Sequence, residues 1–217
     1  MKIIIFGPTG ATGQAAIRHA ISRGWEVTAY ARTPSKLQLP QGKCVSVIQG
    51  DALDSDHVTS AIAGHDAVFV SLGPGLRFLY SRGDTVCSEG TKNIVDAMKK
   101  TGVKRVVVIS SMGAGSSRRF INAFHGWVLK YALEDKSAQE KVVKESELDF
   151  VIVRPTGLTN GPIHGHLAIV DSDVQGLPHN QVSRNDLAIF ALDQLENDTW
   201  LGKCPGISFD HRGTLED

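Results

Sequence analysis

Short runs of branched apolar residues alternate along the chain with longer stretches in which apolar positions recur every three to four residues. Six strands are predicted, at Ile3–Phe6, Val27–Ala31, Val45–Gln49, Ala67–Ser71, Arg105–Ser110 and Phe150–Arg154. Most read as continuous apolar runs, the pattern of strands covered on both faces. Between them lie helical patterns. Ala15–Arg23 sets Ala16, Ile17, Ala20 and Ile21 on one face, Ser55–Ile62 is short, and Glu89–Lys100 repeats Ile94, Val95, Ala97 and Met98 before a stop at Gly102. Ala132–Glu147 reads as a strongly charged amphipathic helix.

Strands that alternate with helices imply parallel β-α-β units with right-handed crossovers, hence an α/β doubly wound parallel sheet. After Arg154 the pattern breaks into Gly- and Pro-rich sequence, followed by a helix at Arg184–Leu195 and a strand near Ile207–Phe209. The 217 residues are expected to form one domain, with a core in 1–155 and an irregular, pocket-forming part in 156–217.

Composition narrows the function. The 23 Lys and Arg balance the 23 Asp and Glu, and the cations are scattered, which argues against a nucleic-acid partner. No apolar run approaches the roughly 20 residues that span a bilayer, and Met1–Phe6 is too brief for a signal-peptide core. Three widely spaced cysteines, Cys44, Cys87 and Cys204, suit neither a disulfide framework nor a thiolate metal site. A cytoplasmic protein without membrane, metal or nucleic acid is the expectation.

The strongest motif is Gly7-Pro8-Thr9-Gly10-Ala11-Thr12-Gly13, between the first strand and the first helix. At that junction glycines permit a tight turn, close approach to a pyrophosphate, and close packing of helix on strand. The helix N-terminus then offers N–H groups to phosphate. An ATP-binding loop would need Lys after the last glycine, where Gln14 stands.

An NAD site of this kind places an acid at the end of the second strand, to hold the ribose 2′-hydroxyl. Here Arg32, Ser35 and Lys36 stand in that stretch, without Asp or Glu. Two cations and a hydroxyl suit a 2′-phosphate, so NADP(H) is the expected cofactor. Asp51, Ala52 and Leu53 follow the third strand, where they are expected to face adenine. Ser71, Leu72 and Gly73 leave the fourth strand beside the crevice.

These residues carry a family resemblance. Ile5–Gly13, Arg32 with Ser35-Lys36, Gly50-Asp51, Gly64–Val68, Thr85–Gly90 and Asn93–Val95 resemble the atypical short-chain dehydrogenase/reductase group. Within it they look most like the biliverdin-IXβ reductase, or flavin reductase, family. The NmrA-like group is a broader relative that shares the glycine turn and a late Arg-Pro pair, here Arg154-Pro155. The resemblance implies a Rossmann-type fold and hydride transfer from NADPH to a flat conjugated acceptor, such as a flavin, a linear tetrapyrrole or a quinone. By position it implies Gly10–Gly13 at the pyrophosphate and Leu72, Gly73 and Cys87 along the middle of the cofactor. Ser110, Ser111, Pro155, Thr156 and Gly157 would frame the nicotinamide. The chain departs from the family at Gly157 and Lys136, where that reductase has histidines, and at Thr156, where it has proline. Segment Gly113–Trp127 has little counterpart.

The Tyr-x-x-x-Lys pair of typical short-chain dehydrogenases is absent, because Tyr131 and Lys136 are five apart. Lys136 is expected to reach the cofactor ribose or amide. Ser111 is expected to orient the acceptor or donate to a developing oxyanion. A flavin or quinone delocalises the charge it receives and needs little acid–base help. Phe78–Tyr80, Phe120, Phe124 and Trp127 are candidates to stack on an acceptor, and His164 with His166 reads as pocket or surface. Two alternatives stay open: an NADP(H)-binding sensor without turnover, and a specialised reductase of a biosynthetic pathway. A monomer is expected.

Overall fold

The computed structural model describes residues 1–39, 45–73, 85–120, 129–177 and 181–210. Strand β1 (Lys2–Phe6) lies at the centre of the sheet, paired in parallel with β2 (Glu26–Ala31) on one side and β4 (Ala67–Val70) on the other. β3 (Val45–Gln49) extends the sheet beyond β2. β5 (Arg105–Ile109), β6 (Asp149–Pro155) and β10 (Pro205–Phe209) extend it beyond β4, all in parallel. β8 (Leu167–Asp171) closes the far edge antiparallel to β10. The order β3-β2-β1-β4-β5-β6 is that of a doubly wound dinucleotide-binding sheet, with its switch point at β1 and β4.

β1 shows why its sequence reads as an unbroken apolar run. Ile3 and Ile5 enter one core with helices α1 (Ala11–Ser22) and α5 (Arg184–Asp193). Ile4 and Phe6 enter the opposite core with α2 (Ser55–Ile62) and α3 (Val86–Thr101). All four are fully buried, each contributing about 1.5–3 kcal/mol of transfer free energy. Helix α4 (Lys130–Lys144) packs beside α3 on the second face.

The predicted strands and helices form, with shifted ends. α1 starts at Ala11 rather than Ala15, because the glycine turn is itself the first turn of the helix. β4 stops at Val70, since Ser71 turns its hydroxyl back to Phe6 O and Gly7 O at 3.2 Å each. The irregular C-terminal part holds more order than its glycines and prolines suggest. It contains β8 and a separate parallel pair, β7 (Gly157–Thr159) with β9 (Gln181–Ser183).

The charged helix α4 is the larger surprise. Its buried face carries Asp135, Lys136, Gln139 and Glu140 beside Leu133 and Val143. Each polar group is satisfied, as burial demands. Asp135 accepts from Cys87 N at 2.9 Å, Ser88 N at 3.0 Å and Ser88 Oγ at 2.5 Å, so it caps α3 from a neighbouring helix. Gln139 donates to Thr91 Oγ1 at 2.7 Å.

Candidate cofactor and acceptor site

The glycine turn sits at the carboxyl edge of the sheet, between the ends of β1 and β4. Gly7 has φ +78°, and a side chain there would lie 2.5 Å from Ser71 O. Gly13 has ordinary helical geometry, but a Cβ would lie 2.3 Å from Gly7 O and 2.8 Å from Pro8 Cα. Protein packing therefore requires both glycines. Gly10 differs: it is exposed, and the nearest atom a Cβ would meet is Gly7 O at 3.5 Å. Among the described residues, none stands close enough to exclude a side chain at Gly10.

Gly10 is also the N-cap of α1, where no side chain caps the helix and no acid stands in its first turn. A helix that opens without a side-chain acceptor presents its first N–H groups and its positive dipole end outward. Ala11 is exposed and Thr12 half-buried, while Thr9 supplies its carbonyl to Gln14 Nε2 at 3.0 Å. The residues present thus fit a pyrophosphate.

Past β2, Arg32, Ser35 and Lys36 are exposed, the last two on a 3-10 turn at Pro34–Lys36. The Arg32 side chain is 66% exposed, and its contact with Asp51 Oδ2 is 3.9 Å long. Such a pair is worth little in water and holds Arg32 only weakly against a phosphate. Asp51 Oδ1 accepts Leu53 N at 3.1 Å, so the carboxylate expected to face adenine also shapes its own turn. Ala52 is buried, with its carbonyl taken by Asn93 Nδ2 at 3.0 Å, while Leu53 stands half exposed as an apolar surface.

Tyr30 braces this corner from below. Its hydroxyl donates to Asp51 O at 3.0 Å and lies 3.2 Å from His57 Nδ1. Burial, with the nearby Asp54 and Asp51 carboxylates, pushes its pKa up to about 12. Sequence reasoning missed Tyr30 and His57, because an aromatic on a strand reads as core.

Past β4, Gly73 is exposed and Leu72 is buried, its carbonyl accepting from Cys87 Sγ at 3.5 Å and from Lys136 Nζ at 2.7 Å. Lys136 also donates to Ile109 O at 2.7 Å and Gln139 Oε1 at 3.0 Å. An ammonium has three hydrogens, so Lys136 has none over for a ribose hydroxyl. It ties the ends of β4 and β5 together instead.

Ser110 likewise differs from expectation. Its N–H donates to Val153 O at 2.8 Å, and its hydroxyl donates to Glu140 Oε1 on α4 at 2.5 Å. Ser111 follows. It is half-buried, and among the described residues its hydroxyl donates to Met112 O alone, at 3.1 Å, a local bond that is easily exchanged. Pro155 is buried, Thr156 Oγ1 donates to Ile207 O at 3.3 Å, and Gly157 is exposed at the start of β7. Ser208, on β10, has a fully buried hydroxyl without a partner among the described residues.

His164 and His166 are exposed, and the His164 ring meets Phe209 edge-on with centroids 4.9 Å apart. Among the described residues, no group of three or more His, Cys, Asp or Glu is placed to hold a metal ion, and no helix is long and apolar enough to cross a membrane. Phe78, Leu79, Tyr80, Phe124 and Trp127 lie outside the described residues, as does the side chain of Phe120.

Comparisons with known proteins bear on the fold and the family. The chain is 28% identical over 202 residues to an uncharacterised chloroplastic protein of Arabidopsis thaliana, covering 89% of this chain and 71% of that one. Its fold is similar to the structure of ChuY, an anaerobilin reductase from Escherichia coli O157:H7, with a TM-score of 0.82, 22% identity and full coverage of both chains. It is also similar to a short-chain dehydrogenase/reductase from Veillonella parvula in complex with NADP, with a TM-score of 0.78, 21% identity, and coverage of 97% of this chain and 95% of that one. The NAD(P)H-binding family matches residues 7–198, and the chain belongs to that family.

Proposed function

We propose that the protein is an NADPH-dependent reductase that passes hydride to a flat, conjugated acceptor of the flavin, linear tetrapyrrole or quinone type. The observation that carries this reading is the state of Lys136. Its three hydrogens are spent on Leu72 O, Ile109 O and Gln139, and the position one helical turn before it holds Ala132, not tyrosine. The proton donor that carbonyl reduction uses in typical short-chain enzymes therefore has no seat on this helix. An acceptor that delocalises the incoming charge removes the need for one.

When bound, NADPH supplies the hydride; the chain supplies alignment and charge. The α1 N-terminus and Gly10 hold the pyrophosphate, and Arg32, Ser35 and Lys36 take the 2′-phosphate. Ser111, two residues past β5, turns its hydroxyl from Met112 O to the acceptor and steadies developing negative charge there. The similarity to a reductase fold supports the reading. A monomer in the cytoplasm is part of the same proposal.

The test follows NADPH absorbance with the purified protein, alone and then with FMN, biliverdin and a simple quinone. Oxidation that depends on an acceptor is expected, with a loss of about tenfold or more in kcat for Ser111→Ala. Tight NADPH binding without oxidation by any of the three overturns the reading in favour of a dinucleotide sensor or a reductase of narrower substrate range.

A further inference from the structure

Among the described residues Arg154 is the largest fully buried side chain, 0% exposed, and its partner Glu140 is 2% exposed. Nε and Nη2 donate to the two Glu140 oxygens at 2.9 and 2.6 Å, a two-bond fork. The two hydrogens of Nη1 are shared among Asp173 Oδ1 at 2.7 Å, Ser172 Oγ at 3.0 Å and Ser116 Oγ at 3.3 Å. Ser110 completes the Glu140 carboxylate, and Ser116 donates to Asp173. One guanidinium thus gathers α4, the end of β5, the turn after β8 and the 3-10 turn at Gly115–Phe120.

Net stability is a poor explanation for such a group. Desolvating two charges offsets most of their attraction, and apolar residues of equal volume do as well or better. What a planar fork supplies is direction.

Gly115 shows where that direction is used. Its φ is +53°, and a Cβ there would lie 2.3 Å from Glu140 Oε2 and 2.9 Å from Arg154 Nη2. The backbone of the turn rests on the ion pair and shields it from water. The same turn is tied by Gly115 N to Ser137 Oγ at 2.9 Å, Gly113 N to Ser117 Oγ at 2.9 Å and Ala114 N to Ser111 O at 3.1 Å. The last bond reaches the serine assigned above to the acceptor.

We propose that Arg154 is a positioning residue for the acceptor. Through Glu140 and Ser116 it seats the Ser111–Ser117 turn against α4, and so sets the acceptor-side wall of the site without touching acceptor or cofactor. This role rests on the reductase reading given above.

The experiment uses Arg154→Lys, which keeps the charge and loses the fork. Hydrogen exchange of residues 111–117, NADPH affinity by fluorescence, and acceptor kinetics are read together. The turn amides are expected to exchange about tenfold faster, while β1, β2 and α1 keep their protection. The NADPH Kd stays within about twofold, and acceptor kcat/KM falls about 10- to 100-fold through misplacement. An exchange increase spread evenly over the sheet, or unchanged turn amides and kinetics, overturns the proposal. Should Arg154→Lys not fold, the Ser116→Ala/Asp173→Asn double variant releases the turn from Nη1 and leaves the Glu140 fork. The same local increase in exchange is expected, and its absence overturns the proposal. If the wild-type protein binds NADPH but oxidises it with none of the three acceptors, the reductase reading falls, while exchange and NADPH binding still decide whether Arg154 seats the turn.

Discussion

Gly10→Ala and Gly13→Ala place the same methyl group three residues apart, and the structure assigns them opposite consequences. At Gly13, helix propensity alone favours alanine by about 1 kcal/mol. The new Cβ would lie 2.3 Å from Gly7 O and 2.8 Å from Pro8 Cα, both backbone atoms. Ordinary contact requires about an ångström more, and overpacking of that kind costs about 1–3 kcal/mol or more. The turn cannot give way cheaply, because Gly7 is itself wedged against Ser71 O. The clash outweighs propensity, so Gly13→Ala is expected to lower the thermal midpoint by several degrees, at about 2–4 °C per kcal/mol for a chain of this size. At Gly10 the closest approach is 3.5 Å, and the backbone sits at φ −72°, ψ 155°, which alanine adopts freely. Gly10→Ala is expected to keep the thermal midpoint within about 3 °C. It should raise the NADPH Kd at least about tenfold, since the methyl group occupies the approach to the helix N-terminus. Differential scanning calorimetry and NADPH fluorescence titration on the two variants decide the matter. A Gly10→Ala protein that binds NADPH like the wild type would refute the placement of the pyrophosphate. A Gly13→Ala protein of unchanged stability would refute the packing argument.

Replacing Arg32 with Glu and Lys36 with Ala should weaken NADPH binding about 10-fold or more and leave NADH binding nearly unchanged, as isothermal titration with both nucleotides would show. Asp135→Ala leaves two buried N–H groups and a hydroxyl at the start of α3 without their acceptor, so a loss of about 3 kcal/mol is expected in urea unfolding. Asp173 gives a pH dependence. Burial opposes its ionisation, but Ser116, Arg154 and Lys144 outweigh that and hold its pKa at about 2. A depressed folded-state pKa stabilises above the unfolded value near 4, and the benefit is lost as pH falls from about 4 towards 2. Asp173→Asn should flatten that limb of the curve of thermal midpoint against pH, and an unchanged limb would assign the acid transition to other carboxylates.

The dinucleotide half was legible because its signals are local. β1 must be apolar on both faces, and the glycines fall where β1 hands over to α1, so pattern and motif name the same turn. The acceptor half was legible only in part. β8 and the β7–β9 pair are held by partners far away in sequence, and no local period announces them. Ser110 was placed by the family resemblance, and Lys136 by its distance along the chain beyond Ser110-Ser111. Such spacing locates a residue at the sheet edge but cannot say which neighbour takes its hydrogens.

By itself, then, the sequence determined a doubly wound sheet, the glycine turn at its carboxyl edge and a pair of exposed cations past β2, because each depends on residues close together in the chain. Tertiary structure alone decided that the charges of α4 turn inward, that Lys136 is fully engaged, and that Arg154 lies buried beneath Gly115. A charge can face the interior only where a partner meets it, and here the partners come from α3, the ends of β4 and β5, β6 and the turn after β8, which only folding brings together.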